Sequence, residues 1–109
     1  AILDGGVRDV TEIRRDYDFP IYARSVSPGT TLGHFKTLTA NEPVECGGII
    51  VHPGDLIVAD LDGVVVVPKE HVTAVLERAT EIEMREAEQA KLIQETKSLR
   101  EGLAKYKRI

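Results

Sequence analysis

Near the start of this 109-residue chain two glycines, an arginine and an aspartate stand together as Gly5-Gly6-Val7-Arg8-Asp9, with Glu12 just beyond. An arginine can close a two-pronged fork on a carboxylate. Asp9, with Asp4 and Glu12 close in sequence, offers hard oxygen ligands. A dication such as Mg²⁺ needs only one or two carboxylates and several waters. A carboxylate clamp beside a Lewis acid suits a 2-oxo acid. The metal can bridge carboxylate and ketone and stabilise the enolate left when the neighbouring carbon–carbon bond breaks.

A second reading of the same residues needs no ligand. Asp9-Val-Thr-Glu12 has the spacing of a capping box, with Asp9 as N-cap. Gly5 and Gly6 then supply a turn, and Arg8 is a solvated surface residue. That account leaves Arg8 at a helix N-terminus, the wrong end of the dipole for a cation. An anion docked there would explain it, held by backbone N–H groups of the Gly5-Gly6 turn and the helix start.

The elements that must position these residues follow from the pattern around them. "AIL" reads as the last apolar residues of a strand already under way. Ala1 is not a methionine, so the chain is expected to be the C-terminal portion of one domain with a segment upstream. "DVTEIRRDY" reads as a short helix turning Ile13 and Val10 inward, and "FPIYARSV" as a strand with Pro20 at its first position. Residues 27–41 carry Pro, Gly and Thr signals without a period and read as a long loop.

Residues 44–67 hold the clearest β signal: "VECGGIIV", "DLIVAD" and "GVVVVP", separated by Pro53-Gly54 and Asp62-Gly63 turns. The run Val64 to Val67 predicts a strand covered on both faces. From Lys69 the period turns helical, with Val72, Val75, Leu76, Ala79 and Ile82 on one stripe. A helix over about 70–97 would span roughly 40 Å, with Gly102 as a stop. Its second half is expected to run along a neighbouring subunit, which would cover Leu92, Ile93 and Leu99.

Composition narrows the function classes. A net charge of −4 argues against nucleic acid as the main partner. One cysteine, Cys46, excludes an internal disulfide and fits a reducing cytoplasm. No apolar run is long enough to span a membrane.

"DGGVRDVTEI…FPIYARSVSP" followed by "VECGGIIVHPGDLIVADLDGVVVVPKE" resembles the regulator-of-ribonuclease-activity-A-like family, over nearly the whole chain from Ile2 into the long helix. That family includes class II 4-hydroxy-4-methyl-2-oxoglutarate/4-carboxy-4-hydroxy-2-oxoadipate aldolases. The resemblance implies an α/β fold, an αββα sandwich around a barrel-like sheet, related to swivelling phosphohistidine domains, with a long C-terminal helix. It implies trimers or hexamers with active sites between subunits.

The aldolases carry R-D-x-x-D/E, here Arg8, Asp9 and Glu12. By resemblance Arg8 binds the pyruvyl carboxylate, Asp9 anchors Mg²⁺ or Mn²⁺, and Glu12 orders the metal's water shell. The loop glycine that lies upstream in those enzymes has no counterpart in this chain. An acidic residue from a neighbour's C-terminal helix approaches the metal in such enzymes; Glu83 and Glu86 are the candidates. The family's non-catalytic members bind and inhibit a ribonuclease, and they typically lack an acidic residue at the position of Glu12.

Other residues read more plainly. His34 lacks the Thr-Ser-His context of a phosphorylated histidine, and His52 and His71 are too scattered to be ligands on spacing. Cys46 reads as a small core residue, Gly47-Gly48 as a bulge or close strand packing, and Asp60 and Asp62 as turn residues. Glu81 and Arg85 are placed for an i,i+4 pair.

Overall fold

In the computed structural model, which describes residues 1–106, strand β1 (Ile2–Val7) runs straight through both glycines. The expected Gly5-Gly6 turn is therefore not formed, and the strand continues past "AIL" to Val7. The reason lies far along the chain. Strand β2 (Tyr22–Val26) pairs with β1 in parallel, and its ladder carries the backbone onward to Val7. The glycines enter an irregularity: Leu3 faces Ala23 and Gly6 faces Ser25, so Asp4 and Gly5 together oppose Arg24 alone. That two-against-one count is a β-bulge. At Gly6 a Cβ would lie 3.1 Å from the Ser27 Cβ and 3.3 Å from the Ser25 Oγ, so the missing side chain permits the close approach.

Helix α1 (Val10–Tyr17) crosses between the two parallel strands. Val10 and Ile13 are half-buried as the pattern predicts. Residues 27–41 contain no strand or helix, also as expected.

Strands β3 (Val44–Cys46) and β4 (Ile49–Val51) form an antiparallel hairpin. Gly47 and Gly48 are its two-residue turn, not a bulge. Their φ values of 63° and 82° are the double left-handed conformation that matches the twist of a hairpin. A second hairpin pairs β5 (Leu56–Ala59) with β6 (Val64–Val67), Leu56 facing Val67 and Ala59 facing Val64. Its loop is tied by Asp60, whose Oδ1 accepts the N–H of Asp62 at 2.8 Å and of Gly63 at 3.2 Å. Turn chemistry was the expected role. Asp55 does the same before β5, its Oδ2 accepting the His52 N–H at 2.8 Å.

Among the described residues six strands thus form three separate two-stranded ladders, one parallel and two antiparallel. Their apolar side chains, with those of α1, line an open concavity of about 1270 Å³ that includes Val7, Ile13, Tyr22, Val51, Ile57 and Val66. The Tyr22 hydroxyl crosses within this unit, donating to the Ala59 carbonyl at 2.8 Å. Coverage of β6 is uneven. Val64 and Val66 line the concavity, while on the opposite face Val67 is 7% exposed and Val65 60% exposed. That second face is therefore covered at the end of the strand and open in its middle.

The second unit begins at Lys69. A 3₁₀ turn (Lys69–His71) leads into α2 (Val72–Thr96), close to the expected span. Arg85 and Glu81 pair at 3.8 Å as the spacing predicts. The stripe is only partly buried: Val72 and Ile82 are half-buried, while Leu76 is 64% exposed.

Lys97 ends α2 in the left-handed conformation at φ 54°, and α3 (Leu99–Tyr106) folds back on α2. Ser98 caps α3 by accepting the Glu101 N–H at 3.3 Å. Gly102 does not stop a helix. It is buried inside α3, where a Cβ would come within 2.6 Å of the Ile93 Cγ1 and 3.4 Å of the Gln89 Cγ. The chain's own last helix therefore packs on Ile93. Leu99 stays exposed.

Candidate active site

Arg8 leaves the end of β1, and Asp9 is the junction with α1. Asp9 adopts φ 60° and ψ 28°, in the left-handed region where a non-glycine residue costs roughly 1–2 kcal/mol. Aspartate tolerates it better than most residues. The Asp9 carbonyl accepts the first helical N–H, from Ile13, at 2.9 Å.

Its carboxylate makes no capping bond. An N-cap side chain ordinarily reaches the second or third helical N–H from extended backbone, and Asp9 is not extended. The capping-box reading is thereby corrected. Instead the Asp9 Oδ2 lies 3.1 Å from the Arg8 Nε, with the two side chains 53% and 58% exposed. A guanidinium paired through Nε still has its other N–H groups for a second carboxylate. Glu12 stands in the first turn of α1 and is exposed to solvent.

Gly5 and Gly6 lie within β1, so the turn of N–H groups expected from them is absent. Asp4 is also committed elsewhere. Its carboxylate accepts from the Arg24 Nε and, at 3.1 Å, from the Gly47 N–H. These bonds, Arg24 first, hold the Asp4 carboxyl below its ordinary value of 3.8 and raise the Arg24 guanidinium in turn. Sequence reading missed this link because the partners are far apart along the chain. The only local signal was an acidic residue beside a glycine pair.

A dication fits this donor set in a limited way. Among the described residues no group of three or more His, Cys, Asp or Glu side chains is arranged to hold a metal ion. Magnesium asks for less, since water completes its octahedron around one or two carboxylates. Asp9, free of capping duty and open to solvent, meets that requirement, and Glu12 lies one helical turn on. Glu83 and Glu86 are exposed on α2. His34 is an exposed loop residue, and the His52 Nδ1 lies 3.8 Å from Asp55. Cys46 is a half-buried free thiol at the end of β3.

A family model described as RraA-like: Aldolase/RraA matches residues 1–66. The chain belongs to the RraA-like family. Three relatives place it further. It is 37% identical over 107 residues to "Uncharacterized protein MJ0644" of Methanocaldococcus jannaschii, covering 94% of this chain and 49% of that protein. It is 41% identical over 81 residues to "Putative 4-hydroxy-4-methyl-2-oxoglutarate aldolase" of Halalkalibacterium halodurans, covering 72% of this chain and 36% of that protein. It is 31% identical over 88 residues to "Protein DlpA" of Legionella pneumophila, covering 79% of this chain and 14% of that protein.

A crystal structure of an uncharacterised protein from Pseudomonas syringae pv. tomato superposes with a TM-score of 0.83 at 26% identity, over 90% of this chain and 48% of that one. This RraA-like chain therefore spans half or less of the length of the relatives it matches. Its fold is mixed α/β with a long C-terminal helix. No helix among the described residues is long and apolar enough to cross a membrane.

Proposed function

We propose that this RraA-like chain carries the oxo-acid and metal-binding half of a class II pyruvate aldolase site. The reaction is retro-aldol cleavage of a 4-hydroxy-2-oxo acid to pyruvate. The observation that supports it is the Arg8–Asp9 pair: a guanidinium and a carboxylate in contact, both accessible, at a strained strand-to-helix junction. Backbone strain of that kind gathers at functional sites. The relative from Halalkalibacterium halodurans, named for this activity, lends weight to the choice of reaction.

Arg8 binds the substrate carboxylate through the N–H groups that Asp9 leaves open. Asp9 serves as the protein ligand to Mg²⁺ or Mn²⁺, and Glu12 orients waters around that ion. A bound dication supplies Lewis-acid stabilisation of the negative charge that develops on the 2-oxo oxygen. In the cleavage the 4-hydroxyl gives its proton to water, and its oxygen becomes the carbonyl of the released fragment as the C3–C4 bond breaks. The electron pair passes to C3 to form the enolate, and C3 then takes up a proton to give pyruvate. Arg8 stays paired with the carboxylate throughout, which holds the reacting carbons in place. Oxaloacetate decarboxylation passes through the same enolate and is expected as a side activity.

The whole protein works in the cytoplasm as a homotrimer or hexamer. Its sites lie between subunits, where Glu83 or Glu86 of α2 can approach a neighbour's metal.

The test is pyruvate release from 4-hydroxy-4-methyl-2-oxoglutarate and from oxaloacetate by the whole protein, with and without Mg²⁺. Asp9→Asn keeps the shape and the left-handed backbone while removing the charge. It should lower kcat/KM by roughly 10²-fold or more, on the scale of losing one electrostatic contact to the transition state. Full activity in Asp9→Asn would refute the metal role. Absence of pyruvate from both substrates, with capture of a ribonuclease, would move the protein to the family's non-catalytic regulators.

A further inference from the structure

The bulge in β1 lies immediately before the proposed site. Two residues, Asp4 and Gly5, oppose Arg24, and the ladder resumes with Gly6 facing Ser25 and Val7 facing Val26. An extra residue in one strand reverses the in–out alternation of everything after it. The bulge thus decides which face Val7 and Arg8 present. Val7 lines the apolar concavity, and its carbonyl accepts the Ser27 N–H at 2.9 Å; Arg8 and Asp9 are outside that lining.

One side chain spans the irregularity. Asp4, within the bulge, accepts from the Arg24 Nε on β2 and from the Gly47 N–H at the turn of the β3–β4 hairpin. Three segments distant in sequence are therefore joined at one carboxylate. Bulges next to active sites commonly re-aim a side chain. A bulge is also a point where a ladder can slip by one residue, because the extra residue can be relocated.

We infer that the Asp4–Arg24 pair is a register lock for the site: it fixes the extra residue of β1 at Asp4-Gly5 and so sets the aim of Arg8 and Asp9. Asp4 and Arg24 are positioning residues and touch no substrate. The catalytic part of this inference rests on the aldolase reading above. The lock itself rests on the ladder alone.

The experiment combines two measurements on the whole protein for Asp4→Asn, Arg24→Ala and Arg8→Ala, and for Asp4→Asn combined with Arg8→Ala. The first is amide hydrogen exchange at Gly6, Val7 and Ser27, which needs no substrate. Asp4→Asn retains an oxygen for the Gly47 N–H, so it disturbs the fold least. Exchange at these amides should quicken at least tenfold in both Asp4→Asn and Arg24→Ala, with the β5–β6 amides unaffected. Unchanged exchange would overturn the lock whatever the activity.

The second measurement is pyruvate release. Asp4→Asn and Arg24→Ala should lower kcat/KM roughly 10–100-fold, the scale on which small misplacement costs rate. In the Arg8→Ala background Asp4→Asn should cost less than it does alone, since part of its effect acts through Arg8 and the rest through Asp9. A merely structural role would lower the melting temperature and leave kcat and KM of the folded protein as they were, which would refute the positioning role. A wild-type protein releasing no pyruvate, with exchange quickened as stated, would remove the aldolase reading and leave the lock standing.

Discussion

Arg8 and Asp9 are consecutive in the chain, yet their side chains meet at 3.1 Å because Asp9 takes the left-handed conformation between strand and helix. Adjacent side chains in an extended strand point to opposite faces. The turn at Asp9 undoes that separation. A backbone conformation that is unfavourable for an L-residue is thus what brings cation and anion together.

Asp9→Gly should separate the two roles of this residue. Glycine accepts a positive φ without steric cost, though it loses more entropy on folding. The variant should unfold at a temperature equal to or above that of the parent, while Asp9→Val should fall below it. Thermal unfolding by circular dichroism decides the matter. A large loss of stability in Asp9→Gly would mean that the carboxylate holds the junction together, contrary to its lack of a capping bond.

Acid should weaken the lock at Asp4. Its carboxyl is depressed below 3.8, chiefly by the Arg24 hydrogen bond and then by the Gly47 N–H. A group depressed on folding contributes stability above its unfolded value, and the contribution disappears as pH falls through the folded value. The gap in melting temperature between wild type and Asp4→Asn should therefore be constant from neutral pH down to about pH 5 and narrow below about pH 4. Asp16, depressed by Arg15, adds to the acid sensitivity of the parent and persists in the variant. A gap that widened in acid would contradict the assignment.

Gly102 predicts a compensating pair of substitutions. An added methyl would collide with Ile93 at 2.6 Å, and overpacking of this kind costs about 1–3 kcal/mol. Alanine returns up to about 1 kcal/mol of helix propensity. Gly102→Ala should therefore destabilise the α2–α3 pair by about 1 kcal/mol. Combining it with Ile93→Val should recover part of the loss, because it removes the Cδ1 that would lie at 2.9 Å and leaves the remaining γ carbon room to shift. Urea unfolding of the four members of the cycle measures the coupling, and strict additivity would show that the two sites do not touch.

What could be read in advance divides along the range of the interactions. Pro53-Gly54 and Asp62-Gly63 announce their turns locally, so the β5–β6 hairpin and its bounds were legible. So was the pairing of Glu81 with Arg85, one helical turn apart. Gly5-Gly6 carries the same local signal as a turn, but β2 arrives later in the chain and draws the pair into a ladder. Gly47-Gly48 reads as a bulge or close strand packing for the converse reason: the apolar runs on either side hide a reversal of direction.

Gly102 looked like a terminator because its contact with Ile93 exists only once α3 has folded back. The start of α3 was within reach, since Ser98-Leu-Arg-Glu101 has the spacing of a capping box. Arg8, Asp9 and Glu12 stand out in the sequence as candidates by residue type and spacing. Their supports, Asp4 and Arg24, do not, because a bulge register cannot be seen from one strand.

The chain contains no tryptophan and three tyrosines. Two of those phenols have distinct partners: Tyr22 donates to the Ala59 carbonyl, and Tyr106 donates to the Glu88 carboxylate at 3.1 Å. Each half of the molecule consequently owns a built-in optical reporter. Ultraviolet difference spectra of Tyr22→Phe and Tyr106→Phe would let melting of the β-rich half and of the helical half be followed in one sample, without any attached dye.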